Sequence, residues 1–447
     1  MDLLTLSIIF IVTIVFIVIS TTRWHLHPFL ALIFAAYGVG IATGVPLLKL
    51  GETIRVGFGN ILGYIGLVIL FGTLIGTILE KSHAAISMAN FIQRRLGERH
   101  PALAMTLIGY IVSIPVFCDS AFVILSSLRK SLISKTGASA VAVTIALSTG
   151  LYASHTFVPP TPGPIAAAAN LGISDNLGMV IVVGLLVSLC AALAGYSWSR
   201  YIGDRYKTDE DLQLSVTDYE EPANLPSTGK AFAPIFVPIL LIALGSVANF
   251  PSHPFGQEGL FTLFAFLGKP INALIIGFFL AMRLMPALNK ETLNDWMSDG
   301  LQSAGLIIMI TGAGGAFGQV LKATPMAELI GGSLDGMNIS LLLPFILAAA
   351  LKTAQGSSTV AMVTTSAIIA PLLGDLGLAS DMGAVLAVMA VGAGAMTISH
   401  ANDSYFWVVT QFSGMDVATA YRTHTVATLI QGFVALAVIL ILSLFLL

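Results

Sequence analysis

The chain has 447 residues, 56% of them hydrophobic and 10% charged, with a mean hydropathy of +0.92 and a formal net charge of −3. Soluble domains carry about 25% charged residues, so a soluble globular protein is excluded, and the charge balance carries no message about nucleic acid. Long apolar runs recur without the alternating segments of a membrane barrel, which leaves a polytopic all-α membrane protein.

In chain order, the apolar runs predict spans near 4–20, 28–44, 61–79, 140–170, 178–199, 232–249, 270–285, 301–317, 382–412 and 425–446. The opening "MDLLTLSIIF" lacks a basic n-region and carries Asp2, so it reads as a first span rather than a cleaved leader. Two more apolar stretches, near 101–128 and 340–372, do not read as crossings. The first lies between the basic clusters Lys81/Arg94/Arg95/Arg99 and Arg129/Lys130/Lys135. With basic loops facing the cytoplasm, both of its ends lie on one side. It is therefore expected to be a re-entrant hairpin with "PVFCDS" (115–120) at its tip, where irregular backbone is tolerated only inside protein or beside a watery cavity.

Two hairpins and ten spans place both termini in the periplasm and most Lys and Arg on cytoplasmic segments. The polar stretch 200–230, with the acidic run "TDEDLQLSVTDYEE", is the expected cytoplasmic linker between a first half (1–199) and a second (231–447). The halves look related. "GTILEKSHAAISMANFI" (76–92) resembles "GQVLKATPMAELIGGSL" (318–334). The tips Asp119-Ser120 and "QGSST" (355–359) follow in each half, and then "YASHTFVPPTPGP" (152–164) and "TISHANDSYFW" (397–407) both carry Ser-His. Three weak similarities in one order and at nearly constant offset point to an inverted repeat, the sequence mark of a secondary transporter.

Four prolines within eight residues, Pro159, Pro160, Pro162 and Pro164, rule out a continuous helix. A broken helix near 140–170 is expected to unwind at Ser154–Gly163 and to restart with Pro164 in its first turn. A second broken helix is expected near 382–412. Half-helix N-termini at such breaks favour an anion. The matched histidines His155 and His400 could carry a proton, or could simply hold the breaks open through a carbonyl. Asp119 and Asp403 fall near mid-depth, where the alternatives are a proton site or a fixed pair with Lys352. Lys352 itself could meet a substrate carboxylate or snorkel to the surface. Gln355, Ser357, Ser358 and Thr359, with Thr161, Asn402 and Ser404, suit a polyhydroxylated ligand, although hydroxyls also serve helix packing. "GAGG" (312–315) reads as close helix packing. Cys118 and Cys190 make no redox or metal case, and no P-loop, HExxH or metal-spaced Cys/His cluster occurs.

"IPVFCDSAFVIL", "SHTFVPPTPGPIAAA", "LKTAQGSSTVA" and "ISHANDSYFW" resemble, in order and across nearly the whole chain, the signature stretches of the gluconate:proton symporter family of bacterial inner-membrane permeases. The resemblance implies proton-driven import of gluconate or a related sugar acid, one branch of the family carrying D-serine. It also implies an ion-transporter-like inverted repeat with two re-entrant hairpins. Carried onto this chain, it implies a site at Asp119, His155 to Pro164, Lys352 to Thr359 and Ser399 to Asp403; with the polar residues beside these stretches, the expected substrate set is Ser120, Ser154, Thr156, Thr161, Gly163, Lys352, Gln355, Gly356, Ser357, Ser358, Thr359, Ser399, Asn402 and Ser404. The expected proton-coupling set is Asp119, His155, His400 and Asp403. No metal or cofactor is expected, and the expected partners are a small sugar acid, a proton, membrane lipid and a second copy of the chain. The chain departs from the family at Cys118-Asp119-Ser120-Ala121, where a larger aliphatic or acidic residue is frequent, which points to a somewhat different hydroxy acid. A sodium-coupled carboxylate symporter is the rival reading; a membrane-embedded enzyme is disfavoured by the repeat.

Overall fold

The computed structural model describes residues 3–96, 99–208, 225–248, 255–256, 258–324, 340–401 and 403–447. Asp2, most of the acidic run in the expected linker, the 325–334 part of the second repeat motif, and Asn402 lie outside the described residues. The described residues form helices and connecting turns, with no strand among them.

The first half opens with α1 (Leu3–Thr22), α2 (Pro28–Ala42), the 35-residue α3 (Leu47–Lys81) and α4 (Ala84–Leu96). A hairpin follows: α5 (Pro101–Val112), a tight turn, and α6 (Cys118–Thr136), which ends on Gly137 in the left-handed conformation (φ 64°). Next come α7 (Ala140–Phe157) and α8 (Pro162–Asn170), separated by Val158–Thr161 with a cis Pro159–Pro160 bond, and then α9 (Leu177–Gly203). The second half also holds a hairpin followed by a broken pair. It runs α10 (Thr228–Ala248), a bent pair α11 (Leu260–Leu267) and α12 (Pro270–Met282), and α13 (Trp296–Lys322) behind a π-turn at Glu291–Asp295. Its hairpin is α14 (Leu342–Gln355) and α15 (Ser358–Ile369). Its broken pair is α16 (Asp381–Met396) and α17 (Ser404–Phe412). Short α18 (Val417–Ala420), a π-turn at Tyr421–Thr425 and α19 (Val426–Leu446) close the chain. By length and composition, five helical stretches among the described residues are span-sized, or seven if two bent pairs are each taken as one.

The first break differs from its expectation in detail. Ser154, His155 and Thr156 are helical in the last turn of α7, and the chain unwinds only at Val158–Thr161. The new helix starts at Pro162, which as proline at N1 has no amide to leave unpaired, and Pro164 lies in its first turn as expected. The span expected at 61–79 is the C-terminal part of the much longer α3, whose 45° bend lies between Gly63 and Gly66.

Small residues set the closest approaches. A Cβ on Gly57 would lie 2.5 Å from Gln319 Cβ, and one on Gly315 would lie 2.8 Å from the Gly57 carbonyl oxygen, so α3 and α13 meet backbone to backbone. "GAGG" is thus a packing seam, as in membrane helix pairs generally. Gly150 of α7 similarly faces the Thr106 carbonyl of α5, where a Cβ would come within 2.2 Å. The hairpin arm therefore lies directly on the broken helix. Asn170, at the end of α8, donates to the Val363 carbonyl (3.1 Å) and to Ser366 Oγ (2.9 Å) on α15, tying the first broken helix to the second hairpin.

Candidate functional site

Four helices, α6, α8, α15 and α17, begin at the two hairpin tips and the two helix breaks. Their starts interlock across the halves. Ser404, the first residue of α17, donates to Asp119 Oδ2 of α6 at 3.2 Å. Ser358, the first residue of α15, meets the Tyr152 hydroxyl of α7 at 2.6 Å. A Cβ on Gly163 of α8 would lie 2.8 Å from Met362 Sδ on α15, so no larger residue fits there without displacing that side chain. The starts of α6, α15 and α17 bring the positive ends of helix dipoles toward the same polar centre, which favours an anion.

The second break holds a closed polar network. Asp403 caps α17, its Oδ1 accepting from the Tyr405 amide at 3.1 Å. Its Oδ2 accepts from Lys352 Nζ at 2.6 Å and from Ser399 Oγ at 2.5 Å. Lys352 is fully buried, and its ammonium also donates to the Gly356 carbonyl, which left-handed Gly356 (φ 87°) turns back over the end of α14. The lysine does not reach the surface; its partner is the carboxylate one break away. Desolvating two charges is tolerable only when both are paired and further hydrogen-bonded, as here. The Tyr152 ring lies 5.7 Å from Lys352 Nζ and stacks 5.2 Å from the Tyr405 ring, closing the other side of the pair. Ile398, beside Ser399, takes a left-handed conformation (φ 58°) that is costly for a β-branched residue.

The first break is different. Ser154 is fully buried and its Oγ has no hydrogen-bond partner; His155 is 8% exposed and its Nδ1 has none either. The His155 ring lies 5.9 Å from that of Phe117, which precedes α6. Asp119 is half-buried, and its Oδ1 is likewise buried without a partner. Unmet buried polar groups of this kind are uncommon and costly unless a ligand or water completes them. Thr156 and Thr161 are satisfied by backbone carbonyls of their own segment, Tyr152 and Val158.

The remaining expected residues fall around this centre. Ser120 hydrogen-bonds Glu80 near the end of α3, which brings a third carboxylate beside the first tip. Ser357 caps α15 by accepting from the Val360 amide, and Thr359 is half-buried behind it. Gln355 is the last residue of α14. His400 is half-buried, with Nε2 3.0 Å from the Thr353 carbonyl, so it ties the second break to the hairpin arm rather than joining the ion pair.

Several residues in the network were not singled out from the sequence. Tyr152 stands two positions before Ser154 in a stretch read for its Ser-His pair. His424, fully buried, sits in the π-turn just before the span expected at 425–446. The Asp416 cap of α18 supports this turn, and the Thr419 amide and hydroxyl hold that carboxyl below the usual range. Arg129, read as part of a cytoplasmic basic cluster, is fully buried instead. It donates to Thr144 Oγ1 (2.8 Å) on α7 and to the Phe412 carbonyl (2.9 Å) at the C-terminal end of α17. Charge counting along the chain does not reveal such a partner 283 residues away.

A small apolar cleft lies between the first hairpin tip and α10/α12, lined by Pro115, Pro159, Pro160, Pro234, Pro238 and Pro270 among others. It offers no hydrogen-bonding side chain to a hydroxylated solute, so the polar centre is the candidate site.

The sequence pattern described as GntP family permease matches residues 4–445. A gluconate permease of Pseudomonas aeruginosa is 33% identical over 446 residues, covering 97% of this chain and 96% of its own. The D-serine transporter DsdX of Escherichia coli is 34% identical over 442 residues, covering 97% of each chain. The low-affinity gluconate transporter of Escherichia coli is 29% identical over 446 residues, again covering 97% of each. Among solved structures, the YdaH transporter of Alcanivorax borkumensis superposes with a TM-score of 0.66 at 14% identity, covering 93% of this chain and 98% of that one, a likeness of fold.

Proposed function

The chain belongs to the GntP permease family, and from that premise we propose a proton-coupled transporter that imports gluconate or a close sugar acid across the bacterial inner membrane by alternating access, without a cofactor. The observation that carries this reading is the charge balance at the polar centre. One cation, Lys352, is matched by Asp403, and Asp119 adds a second carboxylate on Ser404. An anionic substrate brings a further negative charge into a low-dielectric interior, where an unmatched charge is expensive. A proton taken up by a carboxylate offsets that charge and lets the substrate carboxylate compete for Lys352. We assign this proton to Asp119, whose Oδ1 is free and whose Oδ2 leans on a hydroxyl rather than a cation. The free atoms of Ser154 and His155 then receive substrate hydroxyls, with Ser357, Ser404 and Thr359 lining the approach. Both termini are periplasmic in this reading, and the 200–230 segment is cytoplasmic.

The test is uptake of labelled gluconate into proteoliposomes under separate proton and sodium gradients, with sugar acids and D-serine as competitors. A proton gradient is expected to drive accumulation, a sodium gradient alone to fail, and sugar acids to compete best. Accumulation driven by sodium with neither pH gradient nor membrane potential overturns the coupling. Strong competition by D-serine alone overturns the substrate.

A further inference from the structure

Behind the Lys352–Asp403 pair, a chain of hydrogen bonds runs to the π-turn. Ser399 Oγ lies 2.5 Å from Asp403 Oδ2 and 3.2 Å from His424 Nε2, and His424 Nδ1 lies 3.4 Å from Ser148 Oγ on α7. The direction of each bond follows from proton counting. Asp403 is paired with Lys352, so its carboxylate only accepts, and the single Ser399 hydroxyl proton goes to it. Ser399 Oγ must then accept from His424, which fixes Nε2 as the protonated nitrogen. In a fully buried neutral imidazole Nδ1 is then the unprotonated nitrogen; the Ser148 hydroxyl lies 3.4 Å from it and donates to the Ile145 carbonyl at 3.1 Å, so the tautomer is set from the Ser399 side. The backbone of Ser399 is pinned by the same element: its amide donates to Thr428 Oγ1 (3.0 Å), and its carbonyl accepts from Thr425 Oγ1 (2.6 Å). The π-turn brings His424, Thr425 and Thr428 to face one residue, a placement in keeping with the frequent use of such turns at functional sites.

We propose that His424 is a positioning residue of the transport site: its Nε2–H commits the Ser399 hydroxyl to Asp403, and so keeps that carboxylate fixed on Lys352. Without this donor, Ser399 is free to turn away, and the carboxylate loses one of the charge-assisted bonds that favour the charged form of such a group. The groups that act on Asp403 are Lys352 from α14, Cys118 and Asp119 from α6, Tyr152 and His155 from α7, Tyr405 from α17, and His424 itself. Of these only Lys352 donates a side-chain hydrogen bond to Oδ2, so none replaces the one lost from Ser399. The inference rests on the ion pair belonging to the transport site and not on the identity of the coupling ion.

The experiment is gluconate counterflow in proteoliposomes of the full chain, at equal pH on both sides, across a range of pH. His424→Leu is expected to slow exchange about tenfold at neutral pH and to move the acid limb of the rate profile upward by about one pH unit. His424→Gln, which keeps an N–H donor, is expected to restore both, and Ser399→Ala to reproduce the leucine variant. An unmoved acid limb in His424→Leu, or no rescue by His424→Gln, overturns the positioning role. If His424→Leu does not fold, Ser399→Ala decides: an unmoved limb there overturns the role equally. Asp403→Asn separates the two readings. If that variant keeps wild-type exchange and profile, the pair is not part of the transport site. If it is altered while His424→Leu is not, the inference about His424 alone is wrong.

Discussion

The break after α16 and the break after α7 carry the same Ser-His pair in opposite states. In the second, Lys352, Asp403, Ser399 and His424 satisfy one another, and His400 rests on a hairpin carbonyl. In the first, Ser154 Oγ, His155 Nδ1 and Asp119 Oδ1 are buried and unmatched. A closed network holds geometry, whereas an open one invites a ligand. In the proposed reading the second break supplies a preorganised cation and its counterion, and the first the receptive hydrogen-bonding groups.

The sharpest way to break this comparison is at the ion pair. Lys352→Ala leaves Asp403 buried without its cation, a loss of about 3–5 kcal/mol. Gluconate uptake should fall by at least about 100-fold, and thermal stability should drop with it. The double variant Lys352→Met/Asp403→Leu should regain most of the stability, since two matched apolar groups replace the pair, while remaining inactive. A melting temperature for Lys352→Ala equal to wild type would show that the network is not closed in the sense argued here.

Asp119→Asn probes the open side. It keeps a hydrogen-bonding group opposite Ser404 but removes the proposed proton site, so accumulation against a gradient should be lost while counterflow exchange survives. Accumulation at the wild-type level assigns the proton elsewhere. His155→Leu removes one receptive group without touching the pair. The expected result is a rise in KM of about tenfold, the worth of a hydrogen bond to a polar ligand, with little change in thermal stability. The smallest effect is expected for His400→Gln, whose amide can still reach the Thr353 carbonyl: accumulation should stay within about twofold of wild type. Loss of accumulation with intact exchange would instead make His400 the proton carrier and erase the distinction between the breaks.

Much of the fold was legible along the chain because it rests on local chemistry. Apolar runs of span length, the proline cluster at 159–164, and the polar tips at Asp119 and Ser357 are set by residues close in sequence. The family resemblance rests on these same stretches. His424, Arg129 and Tyr152 were missed for a common reason. Each looks ordinary among its neighbours, a loop histidine, one of several basic residues, and an aromatic next to a motif. Each gains its role from a partner far off in the sequence: Ser399, the Phe412 carbonyl, and Ser358.

By itself, the sequence determined that this is a membrane protein of repeated halves with two hairpins and two broken helices, because hydropathy, proline geometry and motif order are properties of the chain. Only the tertiary structure decided that Lys352 turns inward to Asp403, that Asp119 meets Ser404 across the halves, and that His155 and His400 are not equivalent. Buried charges and hydroxyls take whichever partner packing brings within about 3 Å, and that choice is made between helices rather than along them.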